Sequence, residues 1–186
     1  ALRRLSLMNR LSLTAVLALL AMLLIVWESL WSMRALLYED RQVKTRHLVE
    51  AAAGVLDHYY GLQKAGTLTE DEARQQAAAA VKRLRYEKTE YFWINDLSKP
   101  IPRMVMHPTV PSLDGKLLDE ARFDKATSLQ AGLSGERVRV EGKNLFVSFN
   151  EVVDRAGEGY VEYLWPKPLA GGGVSSELFT KLSYVR

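Results

Sequence analysis

The sequence contains no cysteine among its 186 residues, and this absence excludes several kinds of chemistry. A chain without cysteine has no disulfide scaffold, no Cys-x-x-Cys redox motif, no thiolate zinc site and no cysteine nucleophile. Both oxidising and reducing compartments remain open to such a chain. An excess of charge is also nearly absent, because 25 Lys and Arg residues stand against 22 Asp and Glu residues, for a net charge of +3.

The small positive excess lies at the N-terminus. Arg3, Arg4 and Arg10 are the only charged residues before Glu28, so the chain from Glu28 onward is electrically neutral. Nucleic-acid binding requires clustered Lys and Arg that displace counterions from phosphates. We therefore expect no nucleic-acid partner.

The motifs of the common enzyme classes are missing as well. The sequence has no G-x-S-x-G elbow, P-loop, H-E-x-x-H pair or Gly-rich dinucleotide turn. The glycines at 171–173 lack the Lys-Ser/Thr of a phosphate loop and indicate a hairpin loop. His47 and His58 would lie about 16 Å apart on one helix, too far to share a metal. We expect no enzyme activity, no catalytic residue, no metal and no cofactor.

What the sequence does have is a long apolar run near its start. From Leu11 to Trp27 there is no charge, and only Ser12 and Thr14 are polar. As a helix this run is roughly 26 Å long against a hydrocarbon core of ~30 Å, and Trp31 lies one turn further on at the expected interface. The run is too long for the apolar region of a signal peptide and lacks a small-x-small cleavage site, which favours an uncleaved anchor.

The charges that flank the apolar run predict its orientation. Three arginines precede it and Glu28 follows it, so the positive-inside rule places the N-terminus in the cytoplasm. We expect residues 1–10 to be a cytoplasmic stub, residues 11–31 a transmembrane helix, and residues 32–186 a domain outside the cytoplasm.

Helical periodicity continues beyond the anchor as far as Gly66. An apolar seam has the spacing of a heptad, and its members are Leu48, Ala52, Val55, Tyr59 and Leu62. A similar seam begins nearer the membrane at Leu30, Met33 and Leu37. The helix either packs on its own domain or also pairs with a second copy in a homodimer, and the two readings are compatible.

The rest of the chain indicates an α+β fold. Thr69 and Glu72 form a capping box that starts a second helix. Aromatic and β-branched runs bounded by turn residues then predict strands, with one further helix among them. In chain order these are strands at Tyr91–Asp96 and Arg103–His107, a helix at Lys143–Ala156, and strands at Gly159–Trp165 and Lys181–Arg186. This order predicts an antiparallel sheet behind a helical pair, with its last strand missing.

Five motifs occur in this part of the chain in a recognisable order: YFWIND (91–96), RMVMHP (103–108), KNLFVSFNEVV (143–153), GEGYVEYLWPKP (157–168) and KLSYVR (181–186). Together they resemble the single Cache domain of bacterial methyl-accepting chemotaxis proteins. The resemblance implies a PAS-like antiparallel sheet held on a long N-terminal helix that continues from the first membrane span. It places the sensor domain in the periplasm and the anchor in the bacterial inner membrane.

The resemblance also implies a function and partners. Receptors of this type sense small molecules, often short organic acids, and pass the signal to a chemotaxis kinase and its adaptor through a cytoplasmic part that this sequence does not contain. Two alternatives stay open at this stage. The same sensor domain could serve a histidine kinase or a cyclic-dinucleotide enzyme, or the domain could be a ligand-free dimerisation module.

A pocket for a small carboxylate needs fixed cations or donors and an aromatic wall. Strand alternation groups the candidates by face. Those we assign to ligand binding are Tyr91, Trp93, Arg103, His107, Tyr163, Lys167 and Tyr184. Each has a structural explanation as well, because large aromatics often fill cores and strand-end charges are often solvated.

Overall fold

The computed structural model describes residues 6–169 and 173–186, and the chain divides into two units, Ala1–Arg41 and Gln42–Arg186. Helix α1 spans Leu7–Lys64. Within the described residues it is the one helix that is long and apolar enough to cross a membrane, judged by length and composition, with a mean hydropathy of 2.3 and 0% of the apolar window buried. Trp27 and Trp31 are exposed.

The second unit begins with the C-terminal part of α1 and with α2, which spans Glu70–Arg83. The predicted capping box is confirmed: Thr69 Oγ1 accepts from the backbone N–H of Glu72 at 3.3 Å, and Glu72 Oε2 accepts from the backbone N–H of Thr69 at 2.8 Å. Two orphan N–H groups are thus satisfied. One face of α2 is buried through Ala73, Ala77 and Val81.

Six strands in the described part of the chain form two antiparallel sheets. The small sheet pairs β1 (Ile94–Asn95) with β2 (Met104–Met106). The large sheet has the order β4-β3-β5-β6, and its strands are β3 (Ala126–Ala131), β4 (Arg137–Lys143), β5 (Gly159–Pro168) and β6 (Val174–Val185). The α+β class and its antiparallel sheet are confirmed.

Helix α3, Leu145–Ala156, packs on the large sheet. Asn144 caps its N-terminus by accepting from two backbone N–H groups, at 2.9 Å and 3.1 Å, and Gly157 ends it with a φ of 75°. The apolar face of α3 carries Phe146, Phe149 and Val152, all nearly fully buried. This helix therefore forms the wall of the core that faces β3 and β5.

The structure corrects the predicted elements in three places. The stretch between 122 and 142, to which no strand was assigned, contains β3 and most of β4; both carry too many polar residues for a clear apolar alternation, and β4 is a largely exposed edge strand. Strand β6 begins at Val174 rather than at Lys181. The sequence pattern predicts only its second half, because the first half is largely exposed and polar. Strands β1 and β2 are shorter than predicted.

Some of the predictions concern residues outside the described ranges. Residues 1–5 of the predicted stub, and two glycines of the predicted hairpin loop at 171 and 172, lie outside the described residues. The further strand expected after Arg186 stays a prediction.

Candidate ligand-binding site

One face of the large sheet carries a row of polar and aromatic side chains. In the antiparallel register Tyr163 lies opposite Lys181, and Val161 lies opposite Ser183. Directly paired residues project to the same side of a sheet, and alternation along β5 adds Trp165 to that side. The hydroxyl of Tyr163 lies 2.9 Å from Ser183 Oγ. Burial raises the pKa of Tyr163 far above its usual range, so its phenol is neutral.

His107, just after β2, is 2% exposed and faces this row. Its Nδ1 accepts from the backbone N–H of Val110 at 3.1 Å and lies 3.4 Å from Thr109 Oγ1, while its own backbone N–H donates to Asp114 at 2.7 Å. A neutral imidazole whose Nδ1 accepts carries its proton on Nε2. Within the described residues, no hydrogen-bond acceptor is found for Nε2.

The charge state of His107 follows from its surroundings. Burial lowers its pKa to about 4; Asp114 opposes this effect, and Lys181 and Lys82 add to it. The imidazole is therefore neutral at pH 7 and offers Nε2–H as a fixed donor.

Two aromatic rings enclose His107. The ring centroids of Tyr91 and His107 are 5.0 Å apart, and those of His107 and Trp165 are 6.2 Å apart. The indole Nε1 of Trp165 donates to the Tyr91 hydroxyl at 3.1 Å. Burial raises the pKa of Tyr91, against the lowering effect of hydrogen bonds to Thr109 and Trp165. Both aromatic side chains are thus held by polar contacts as well as by packing.

Three phenylalanines complete the apolar wall. Phe123 stacks on Trp165 with centroids 6.3 Å apart, Phe146 meets the same indole edge-on at 6.2 Å, and Phe149 meets Tyr163 at 5.3 Å. All three are buried. Polar groups in this enclosure interact in surroundings of low dielectric constant, where hydrogen bonds and charge pairs are stronger than in water.

Lys181 brings a positive charge to the enclosure. Its Nζ lies 5.5 Å from the centroid of the Tyr91 ring and 2.9 Å from Glu90 Oε2. The Lys181 side chain is 15% exposed and that of Glu90 is 25% exposed, so the pair is largely buried. We call Tyr91, His107, Tyr163, Trp165 and Lys181 the aromatic site.

Three of the predicted residues, Tyr91, His107 and Tyr163, belong to the aromatic site. Two others lie on the surface. Arg103 is exposed and donates from Nη1 to the carbonyl of Gly115 at 2.7 Å. Lys167 is exposed near the end of β5, with Nζ 4.1 Å from the centroid of the Phe179 ring. The structure therefore places a different lysine, Lys181, beside the histidine.

The remaining two predicted residues, Trp93 and Tyr184, border a cavity of about 160 Å³ against α1 and α3. Trp93 packs on Phe149 with centroids 5.1 Å apart and donates to Asn95 at 3.2 Å. Tyr184 donates its hydroxyl to Glu158. The structure does not bring these two into ring contact with His107.

Sequence reasoning missed Trp165 and Lys181. Trp165 is two residues after Tyr163 on the same strand, so strand alternation puts both on one face and a signal existed for it. Lys181 could be found only from the register that pairs it with Tyr163. For metal binding, the described ranges contain no group of three or more His, Asp or Glu residues that could hold an ion.

The α+β fold, with its long N-terminal helix and its antiparallel sheet, matches solved sensor domains. The family model dCache_2, described as a Cache domain, matches residues 26–186. The chain belongs to the Cache domain family.

The chain is also similar in sequence to a chemoreceptor. The chain is 38% identical over 188 residues to the methyl-accepting chemotaxis protein McpP of Pseudomonas putida, covering 100% of this chain and 30% of that protein. It therefore spans less than a third of that relative's length. The Cache resemblance predicted from the five motifs is confirmed.

Two solved structures agree with this assignment. A periplasmic sensor domain of a chemotaxis protein is 41% identical, with a TM-score of 0.59 over 78% of this chain and 84% of that one. A Cache chemosensory domain described for its carboxylic acid recognition is 36% identical, with a TM-score of 0.60 over 80% of this chain and 84% of that one. The chain is thus a Cache sensor domain of the chemotaxis-receptor type.

Proposed function

We propose that the aromatic site binds the carboxylate of a short organic acid and that the chain is the sensing part of a transmembrane chemoreceptor. The observation that carries this proposal is the placement of two groups beside the Tyr91 ring: the Lys181 ammonium lies 5.5 Å from its centroid, and the His107 ring centroid lies 5.0 Å from it. The Nε2–H of His107 and the Tyr91 hydroxyl are further donors there. A carboxylate accepts several hydrogen bonds at once, and those from charged donors are the strongest.

The charges around the site favour a monocarboxylate. Lys181 supplies one positive charge, whereas Glu90 places a negative charge 2.9 Å from it. A second carboxylate on the ligand would be repelled by Glu90 and would face the apolar wall of Phe123, Phe146 and Phe149. The recognition of a carboxylic acid described for a structural relative supports this ligand class.

The arrangement in the membrane is part of the same proposal. Residues 1–10 form the cytoplasmic stub, residues 11–31 cross the inner membrane, and residues 32–186 form the periplasmic sensor domain. The exposed apolar run supports the span, and the exposed seam residues Leu30, Met33 and Leu37 support a homodimer.

The output lies in the part of the receptor outside this chain. We infer a chemotaxis kinase and adaptor as partners rather than a histidine-kinase or cyclic-dinucleotide output, because the relative that covers the whole chain is a methyl-accepting chemotaxis protein. The chain itself is a binding module and not an enzyme. Its ligand acts by binding one of two receptor states more tightly than the other.

Thermal unfolding of the 186-residue chain in detergent micelles tests the proposed ligand class. Acetate and propionate should raise the unfolding midpoint in a saturable way, because a ligand that binds only the folded state stabilises it. Acetamide has nearly the same shape without the charge and is the matched control. Equal stabilisation by acetate and acetamide would contradict the proposal, and so would the absence of stabilisation by either compound.

A further inference from the structure

The partner of Lys181 is itself a carboxylate. Glu90 Oε2 lies 2.9 Å from Lys181 Nζ, in the contact that the carboxylate of an organic acid would make. The pair is largely buried, so it is stronger than an exposed ion pair, and an incoming carboxylate has to compete with it. Glu90 therefore resembles an internal substitute for the ligand.

Glu90 closes a tight turn that begins at Tyr86. The backbone N–H of Tyr86 donates to the Glu90 carbonyl at 3.1 Å, and the N–H of Glu90 donates to the Tyr86 carbonyl at 3.0 Å. Between them Glu87 and Lys88 have φ values of 46° and 72°, a region that residues other than glycine rarely occupy. Two hydrogen bonds and the Lys181–Glu90 pair thus hold an otherwise unfavourable conformation, which we call the 86–90 turn.

The 86–90 turn also touches helix α1. Glu87 forms an ion pair with Lys44 of α1. Tyr86 borders a small cavity together with Thr45 and Leu48 of the same helix, and burial raises the pKa of its phenol to about 12. One short turn therefore contacts the lysine of the aromatic site at one end and α1 at the other.

We propose that Glu90 is a built-in competitor of the ligand and that the 86–90 turn reports its displacement to α1. A bound carboxylate takes Lys181 from Glu90, the turn loses the contact that holds it, and its packing against α1 changes. This inference rests on the proposed function, because it requires that the ligand bind at Lys181.

Titration calorimetry of the full chain with acetate tests the competition. Glu90→Gln removes the competing charge, so acetate should bind about fivefold more tightly than to the unaltered chain. Glu70→Gln makes the same change of charge at an exposed residue that pairs with Arg74, and it should leave the affinity unchanged. An affinity for Glu90→Gln equal to or weaker than that of the unaltered chain would overturn the proposal.

Hydrogen exchange of the unaltered chain separates displacement of Glu90 from simple charge repulsion. Saturating acetate should speed the exchange of the Tyr86 and Glu90 amides about threefold or more in the unaltered chain, because the turn then opens more often. In Glu90→Gln the same amides should exchange fast with or without acetate. Unchanged or slower exchange on binding would overturn the proposal even if Glu90→Gln bound more tightly.

The two proposals fail in different ways. Acetate could bind in a way that depends on Lys181, while Glu90→Gln leaves the affinity unchanged and acetate leaves the amide exchange of the 86–90 turn unchanged. That result would overturn the competition alone. No saturable binding of acetate or propionate to the unaltered chain would overturn the proposed function and the competition together.

Discussion

Trp165 donates its indole Nε1–H to the hydroxyl of Tyr91 at 3.1 Å, across 74 residues of sequence. Trp165 lies on β5 of the large sheet, and Tyr91 lies in the segment before β1. This bond therefore ties the large sheet to the segment that leads into the small one. It also holds the phenol ring against His107, with the two centroids 5.0 Å apart.

The Trp165–Tyr91 bond should be measurable as a coupling between two substitutions. Trp165→Phe and Tyr91→Phe each remove one partner while keeping a ring, and the double variant removes both. Each single variant already loses the buried hydrogen bond, and the double variant loses no further one. The double-mutant cycle should therefore give a coupling of about 1 kcal/mol in the free energy of unfolding. Strictly additive effects in urea unfolding would show that the bond contributes nothing.

His107 should make stability depend on pH. Its pKa is about 4 in the folded chain against an ordinary 6.5, since burial disfavours the charged imidazole. Between these values the unfolded state binds a proton that the folded state does not. The free energy of unfolding should therefore fall as pH drops from 6.5 to 4, by up to about 3 kcal/mol.

Urea unfolding of the unaltered chain and of His107→Gln across that pH range checks this expectation. Gln keeps a donor at the site but does not titrate, so the difference between the two stability curves isolates the histidine. The unaltered chain should lose stability relative to the variant on acidification. Parallel curves would mean that His107 is accessible enough to be protonated in the folded state.

Two neighbouring glycines should respond differently to alanine. A Cβ at Gly159 would lie 2.2 Å from the carbonyl oxygen of Gln130 and 2.7 Å from Val152 Cγ1, so β3, β5 and α3 would have to separate. At Gly157 no atom lies within 4 Å of the added Cβ, and only its φ of +75° is unfavourable.

Gly159→Ala should therefore cost about 3 kcal/mol of stability or more, whereas Gly157→Ala should cost about 1 kcal/mol. The thermal midpoints of the two variants provide the measurement. Equal costs would imply that the strands β3 and β5 are less closely packed than the structure shows.

The absence of cysteine allows a direct test of topology. Asn9→Cys and Ser176→Cys each introduce a single thiol at an exposed residue on either side of the proposed span. A membrane-impermeant maleimide should label Ser176→Cys in intact spheroplasts and Asn9→Cys only after lysis. The reverse pattern would place the sensor domain in the cytoplasm.

Much of the fold could be predicted from the sequence because its signals are local. The apolar run, the capping box at Thr69 and the alternation around Tyr163 each depend on residues close together in the chain. Strand β3 gave no clear signal because its buried residues include Ser128 and Gln130, which contradict a simple apolar alternation. Strand β4 gave none because it is a largely exposed edge strand, which is held in the sheet by its pairing with β3.

The candidate site likewise contains residues with a local sequence signal and residues whose position depends on tertiary contacts. His107 and Tyr163 stood out through their strand motifs, and both lie in the aromatic site. The choice between Lys167 and Lys181 could not be made from spacing, because it depends on the register between β5 and β6. A shift of one residue in that register would have placed Lys181 on the opposite face of the sheet.

Titration calorimetry of acetate against two matched lysine variants tests most directly whether Lys181 binds the ligand carboxylate. Lys181→Met should lose about tenfold or more in affinity, because it removes a charged hydrogen bond from a largely buried site. Lys167→Met makes the same change at the exposed residue near the end of β5 and should bind acetate as the unaltered chain does. Loss of binding in Lys167→Met with binding retained in Lys181→Met would contradict the account.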